Sequence, residues 1–440
     1  MALSKVRLLP VELSRPDISG QGQYVPEGSG FLAEEAWTHG PLQPRSAIRQ
    51  KEVPAEPVDL ETLAREHDLV ELLPSRRVRR VPEIDRLPRD VSAYVVRGGN
   101  RTLLRGLCKL GRPILPEWDK FGYSWHTRGM RRCVEETGAV CLVPMGAQDV
   151  IKILRVLRVA TFLREMCVLC IGDIASRAIR TEAHDFDVVL RSFEDLYSAV
   201  KRVDEEEAEQ VGGRWSENAD VLDGRQSKLP QYAKTYLGLR KLLAQAEANA
   251  LTMDCACLRT IELCPCYSFA NLIDDGTPSA CERDFGALLS MTILMNLSGG
   301  AALHGNLFAN CTHEDIEGNV ITINHDVVPP SMAGRGKQMR LRDFHATGKG
   351  LTGFVELEKG RSVTVLGLDT NTKKLWFSSG LVAWTEDTVH CRTCIGVKVP
   401  NAKRIAREFV GGHQTLGYGN WSDELEMLSR VLGFEALCLE

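Results

Sequence analysis

The sequence has no run of about 18 uninterrupted apolar residues, the length a membrane-spanning helix needs. Its longest segment free of Asp, Glu, Lys and Arg, Phe285 to His313, is broken by Asn296, Ser298-Gly299-Gly300, His304 and Asn306. Net charge is also scarce: 54 basic against 58 acidic side chains leave a formal −4, so no broad positive field exists to hold a phosphate backbone, and nucleic acid is excluded as the main partner. Two motifs are missing. Gly20-Gln21-Gly22 has no strand before it, and Arg97-Gly98-Gly99-Asn100 follows one without the full dinucleotide fingerprint. No Gly-x-Ser-x-Gly elbow supports a serine hydrolase. The first residues, with Lys5, Arg7, Pro10 and Glu12, lack the apolar core of a signal peptide, and the expectation is a soluble, cytoplasmic protein with no membrane contact.

What the chain does have is apolar bulk. Its 440 residues are 44% hydrophobic and 25% charged, enough for two or three cores of roughly 100–200 residues each. Fourteen cysteines in a chain of this size, with no export signal, read mostly as reduced, buried thiols.

Residues 1–90 are rich in Pro and Gly and read as an irregular arm around one or two short elements. From Asp90 the texture changes. Val91–Val96 is β-prone, Leu103–Leu110 helical and Pro113–Pro116 apolar, which suggests a β-α-β unit. Ala139–Val143 is a further strand candidate, and Ala147–Met166 carries Val150, Ile153, Leu154 and Leu157 at helical spacing. Cys167–Asp173 reads as a strand opening a second unit, followed by a largely helical stretch from Ser192 to Ala250 in which Asp204–Glu207 is a solvated helix start. Past Phe344, Val363–Leu366, Lys374–Phe377 and Ile395–Val399 are short strands, closed by a helix over Ser422–Leu432. The expected fold is α/β: two parallel-sheet domains over 1–165 and 166–345, then a small β-rich, barrel-like domain over 346–440.

The chemistry concentrates between Thr252 and Pro330. Glu282 and Asp284 precede the almost purely apolar Ala287–Leu294, where each is either a helix cap or a ligand. Cys255, Cys257, Cys264 and Cys266 form two C-x-C pairs, open to a soft metal or to plain burial of thiols on one strand face. Cys391-x2-Cys394 has metal-pair spacing without a second pair beside it. His413 lies among Gly411, Gly412, Gly417 and Gly419, which let main chain approach a ligand closely.

Taken in order, these segments resemble the L-fucose isomerase family and its relative L-arabinose isomerase. The resemblance rests on Pro265-Cys266 through Cys281-Glu282-Arg283-Asp284 and on Gly412-His413 through Tyr418-Gly419. Leu154–Gly172 and Lys359–Thr364 give weaker support. It implies two α/β domains, a small barrel and a homo-oligomer, and an enzyme that interconverts an aldose and a ketose through a cis-enediol. A divalent metal, Mn²⁺ or alternatively Mg²⁺, would be held by carboxylates and a histidine, and the substrate would be a deoxy-sugar or pentose. Such chemistry needs an acid and a base on the enediol and a hard cation on neighbouring oxygens.

Position by position, the resemblance makes Glu282 the second metal carboxylate, Asp284 its alternative and His413 the C-terminal metal histidine. His325 is a looser match to a ligand of the arabinose branch. The first carboxylate falls in a window holding Asp254 and Glu262. Asp254, ending the apolar run Ala250–Met253 at a strand-end position, is preferred, with Glu282, as the acid-base pair. Arg283 stands where a small or neutral residue is expected, so the site's charge and its reaction can differ; epimerisation or carbon-carbon cleavage of a sugar or sugar acid on the same scaffold is the second reading. A non-catalytic carbohydrate-binding or zinc protein is the third.

Overall fold

A computed structural model describes residues 5–14, 70–98, 100–117, 125–144, 146–172, 186–221, 225–258, 263–337 and 339–440. They divide into two units, Lys5–Ile153 and Leu154–Glu440.

The first unit is built on β1 (Val6–Leu13), β2 (Val70–Leu72), β3 (Arg76–Val78), β4 (Ala93–Arg97) and β5 (Ile114–Pro116). They form a parallel sheet in the order β2-β1-β4-β5, with β3 also on β1. The β-α-β unit expected after Asp90 is present as β4, helix Arg101–Cys108 and β5. Asn100 caps that helix by accepting from the Leu103 N–H. Its buried face, Leu103, Leu104 and Leu107, joins the core containing Leu9, Val11, Tyr94 and Val96.

The reading of 1–90 as an arm is corrected by β1, which is flanked by strands on both sides. Pro10 disguises it, since a residue without an N–H is normally kept off interior strands, yet Pro10 lies opposite Val95 in register. Residues 15–69 of that stretch lie outside the described residues. Ala139–Val143 contributes a single bridge, Cys141 to Ile114, rather than a strand.

The second unit opens with β6 (Cys167–Ile171), β7 (Asp187–Arg191), β8 (Ala219–Val221), β9 (Ala250–Met253) and β10 (Ser279–Cys281). Four of these make a parallel sheet in the order β10-β9-β6-β7. The helical stretch resolves into Phe193–Lys201, Glu205–Glu217 and Leu229–Gln245. Asp204 caps the second by accepting from the Glu207 N–H, and Glu205–Glu207 fill its first turn.

Then follow β11 (Ala302–Leu307), β12 (Val320–His325), β13 (Met339–Arg342), β14 (Thr352–Phe354), β15 (Ser362–Asp369), β16 (Lys374–Asp387), β17 (Thr393–Lys398), β18 (Gln414–Tyr418) and β19 (Glu435–Cys438). Six of them run β15-β18-β11-β12-β17-β16, and β16 pairs back onto β15, closing a barrel-like sheet. β19 lies parallel on β16, and β13 with β14 and β8 makes a small separate sheet. The mixed α/β character and the closed sheet near the C-terminus agree with the expected fold. The ring also draws β11 and β12 from before residue 345, because β11 is the stave that β18 needs on its free edge.

Helix Phe285–Ser298 ties the parallel sheet to the ring. Its residues are apolar on every side, the pattern of a helix buried all round, and Phe285 and Ala287–Leu297 are all buried. Leu294 lies against Gly417 of β18, and a Cβ on Gly286 would strike the Leu368 carbonyl of β15. Among the described residues no helix is long and apolar enough to cross a membrane.

Candidate metal and active site

The site is assembled at the carboxyl edge of the parallel sheet, where α/β folds collect ligands. Register pairs Cys281 with Met253 and Met253 with Ile171, so Glu282, Asp254 and Gly172 leave three neighbouring strands side by side. The Asp254 N–H donates to the Ile171 carbonyl at 2.9 Å and the Arg283 N–H to the Met253 carbonyl at 3.2 Å. Only two residues separate β10 from the helix cap Asp284, and both, Glu282 (φ 59°) and Arg283 (φ 55°), are left-handed. Each such residue costs on the order of 1–3 kcal/mol, a strain that persists where surrounding structure enforces it and that concentrates at functional sites. A Cβ on Gly172 would lie 3.4 Å from the Asp254 Cβ and 3.6 Å from the Arg283 Cδ. Arg283 therefore covers the strand ends, and its guanidinium opposes the burial that pushes the Cys170 thiol up.

Asp284 does two jobs. Its Oδ1 accepts the Ala287 N–H at 2.9 Å, capping helix Phe285–Ser298. Its Oδ2 accepts the His413 main-chain N–H at 2.9 Å and faces His413 Nδ1 at 3.1 Å. Burial pushes this carboxyl up, but the His413 ring and the Ala287 and His413 amides outweigh it and hold it below the ordinary value. A Cβ on Gly412 would sit 2.5 Å from Asp284 Oδ2, so the pairing needs glycine there.

His413 is one of three buried imidazoles grouped here. His304 is the third residue of β11, His325 ends β12 and His413 precedes β18, all on consecutive staves. Ring centroids lie 4.6 Å apart for His304 and His325, 5.5 Å for His304 and His413, and 5.2 Å for His325 and His413. The Cys281 N–H donates to His304 Nε2 and the Val327 N–H to His325 Nδ1, both at 3.2 Å. His304 is 0% exposed, its Nδ1 is buried with no hydrogen-bond partner among the described residues, and burial followed by the nearby His413 holds its pKa well below the usual histidine value. Donor atoms of Cys281, His304 and His325 lie within 4.8 Å of one another. Neutral imidazole nitrogens and a thiol suit a divalent cation, and the long amide contacts at 3.2 Å are what such an ion would displace.

The chain carries a distant likeness to a sugar isomerase. It is 26% identical over 183 residues to a sulfoquinovose isomerase of Priestia aryabhattai, and equally to one of Priestia megaterium. The match covers 39% of this chain and 40% of each relative, so it spans about two fifths of the length of these curated relatives. No family model matches the chain.

Of the residues singled out from sequence, Asp284 and His413 are in direct contact, and the His325 ring meets the His413 ring edge-on. Glu282 and Asp254 sit at adjacent strand ends, Arg283 and Asp254 both flanking Gly172, and Glu262 lies outside the described residues. His304 and the Cys281 thiol are additions. Cys264 and Cys266 bring their sulfurs to 3.4 Å, buried, while the Cys257 side chain is outside the described residues. Among the described residues every cysteine is a free thiol.

Proposed function

We propose that this protein is a metal-dependent sugar isomerase, interconverting an aldose and a ketose through a cis-enediol, with kinship to the fucose and arabinose isomerases. The observation that carries the reading is the buried cluster of His304, His325 and His413 with Cys281 against Asp284 at the edge of a parallel sheet. The similarity to sulfoquinovose isomerase supports it from sequence. The cation, when bound, polarises neighbouring sugar oxygens and so lowers the barrier to proton removal from carbon. Cys281, His304 and His325 would hold it, with His413 kept beside them by Asp284. Glu282 and Asp254 are the acid-base pair that carries a proton between adjacent carbons, and Arg283 orients the substrate by donating to its oxygens. Sequence resemblance favours Mn²⁺ or Mg²⁺, whereas a donor set of imidazole and thiol favours a softer ion such as Zn²⁺, Co²⁺ or Fe²⁺. The substrate class is a deoxy-sugar or pentose and the assembly a homo-oligomer.

Arg283 favours one second reading, a sugar acid as substrate with epimerisation or cleavage as the reaction, since a fold does not fix chemistry. The deciding assay incubates the chain in D₂O with pentoses, deoxy-sugars, sulfoquinovose and sugar acids, each with Mn²⁺, Zn²⁺ or Co²⁺. The expected result is ketose formation with deuterium entering the carbon next to the carbonyl for at least one neutral aldose. Deuterium exchange without ketose would favour the second reading. Neither product nor exchange with any pairing would overturn both and leave a non-catalytic metal or carbohydrate binder.

A further inference from the structure

A second group of metal-ligating side chains stands apart from the histidine cluster and shares no residue with it. Asp326 follows β12, His345 lies in the loop after β13, and Cys391 lies in the turn between β16 and β17. One ligand atom from each lies within 4.8 Å of the others. Asp326 is 3% exposed, and its two oxygens face different partners. Oδ1 accepts the Arg392 main-chain N–H at 2.8 Å, while Oδ2 faces His345 Nδ1 at 2.8 Å. The nearest guanidinium in sequence, that of Arg392, is turned away: it donates to Asp343 Oδ1 at 2.6 Å and to the Asp343 carbonyl at 3.1 Å. The Cys391-x2-Cys394 spacing is thereby divided. Cys394, on β17, turns its sulfur to the Ala309 carbonyl, and Cys391 joins the carboxylate and the imidazole.

The geometry points to a divalent, borderline-soft cation, of the zinc class, bound by Asp326, His345 and Cys391. Thiolate, imidazole and carboxylate together are a zinc-type donor set, and three protein ligands leave a fourth position for water. His345 and Cys391 are half-buried, which gives the ion a way in. On binding, Cys391 gives up its thiol proton to solvent, and the proton held between His345 Nδ1 and Asp326 Oδ2 moves to His345 Nε2, which leaves Nδ1 and Oδ2 as ligands. The ion would then pin the β16–β17 turn and the loop after β13 to the end of β12, one residue from His325. The two groups share no ligand residue.

The test uses the full chain, stripped of metal and titrated with Co²⁺, whose thiolate complexes absorb in the near ultraviolet. A Cys281→Ser, His304→Gln variant dismantles the first group. It should still bind one Co²⁺ per chain with a thiolate band, and adding Cys391→Ser should abolish the band and weaken binding at least tenfold. An unchanged band on adding Cys391→Ser, or no Co²⁺ bound by the first variant, overturns the site. Should those variants fold poorly, the wild-type chain decides. Zn²⁺ should protect Cys391 from alkylation, read by peptide mass spectrometry, and equal labelling with and without Zn²⁺ overturns the proposal.

Discussion

Asp284 offers the sharpest perturbation because its two oxygens serve different partners. Asp284→Asn keeps the helix cap, since Asn and Asp are equivalent at that position and the amide oxygen can accept the Ala287 N–H. The amide nitrogen then turns an N–H toward the His413 main-chain N–H, which in the wild type donates to Oδ2 at 2.9 Å. Hydrogen bonds to charged groups contribute roughly 1.5–3 kcal/mol, and with Asp284 at 18% side-chain exposure and His413 at 9% solvent screening is modest. Asp284→Asn should therefore cost about 2 kcal/mol, and Asp284→Ala, which also loses the cap, about 3 kcal/mol. For a unit of this size about 2 kcal/mol corresponds to a melting shift of roughly 4–8 °C. Thermal unfolding followed by circular dichroism should rank wild type above Asn above Ala. An Asn variant melting with the wild type would refute the link between Asp284 and His413, and an Ala variant equal to Asn would refute the cap.

Three further outcomes follow from the same edge of the sheet. Glu282→Asn places a residue suited to the left-handed region at φ 59°. Stability should hold or rise by up to about 1 kcal/mol while ketose formation falls at least a hundredfold, and a wild-type rate removes Glu282 from the chemistry. Gly412→Ala puts a Cβ 2.5 Å from Asp284 Oδ2; displacing the carboxylate should cost about 1–3 kcal/mol, and an unshifted urea midpoint would contradict the close approach. The Asp284 carboxyl is held below the ordinary aspartate value of 3.8, so its contribution is fully present above about pH 4 and is lost as pH falls through the lowered folded value. The stability gap between wild type and Asp284→Asn should accordingly narrow below about pH 4; a gap constant from pH 7 to pH 3 would count against it.

The local elements were legible where periodicity and capping speak directly. Helix Ser422–Leu432, the β-α-β unit from β4 to β5 and the apolar helix after Asp284 all emerge at or near their expected bounds. Asp284 shows the cap reading and the site reading to be compatible, since separate oxygens do each job. His304 was not legible as a site residue, because its neighbours come from β12 and the start of β18, and strand register between distant segments leaves no trace in one sequence. β1 was hidden by Pro10, and the Asp326, His345 and Cys391 group by spacings of 19 and 46 residues that belong to no local motif.

The closed ring makes the imidazoles' common focus a property of alignment. Gly305 lies opposite Gln414 and Asn306 opposite Asn324, which fixes where His304, His325 and His413 stand relative to one another. Side chains alternate across a strand, so slipping β11 by a single residue against either partner would send His304 to the far side. An insertion in a loop between staves leaves the focus intact, whereas one residue added within β11 or β18 disperses it. Substitutions that never touch a histidine can thus silence all three, and lengthened loops should be the variation this architecture tolerates best.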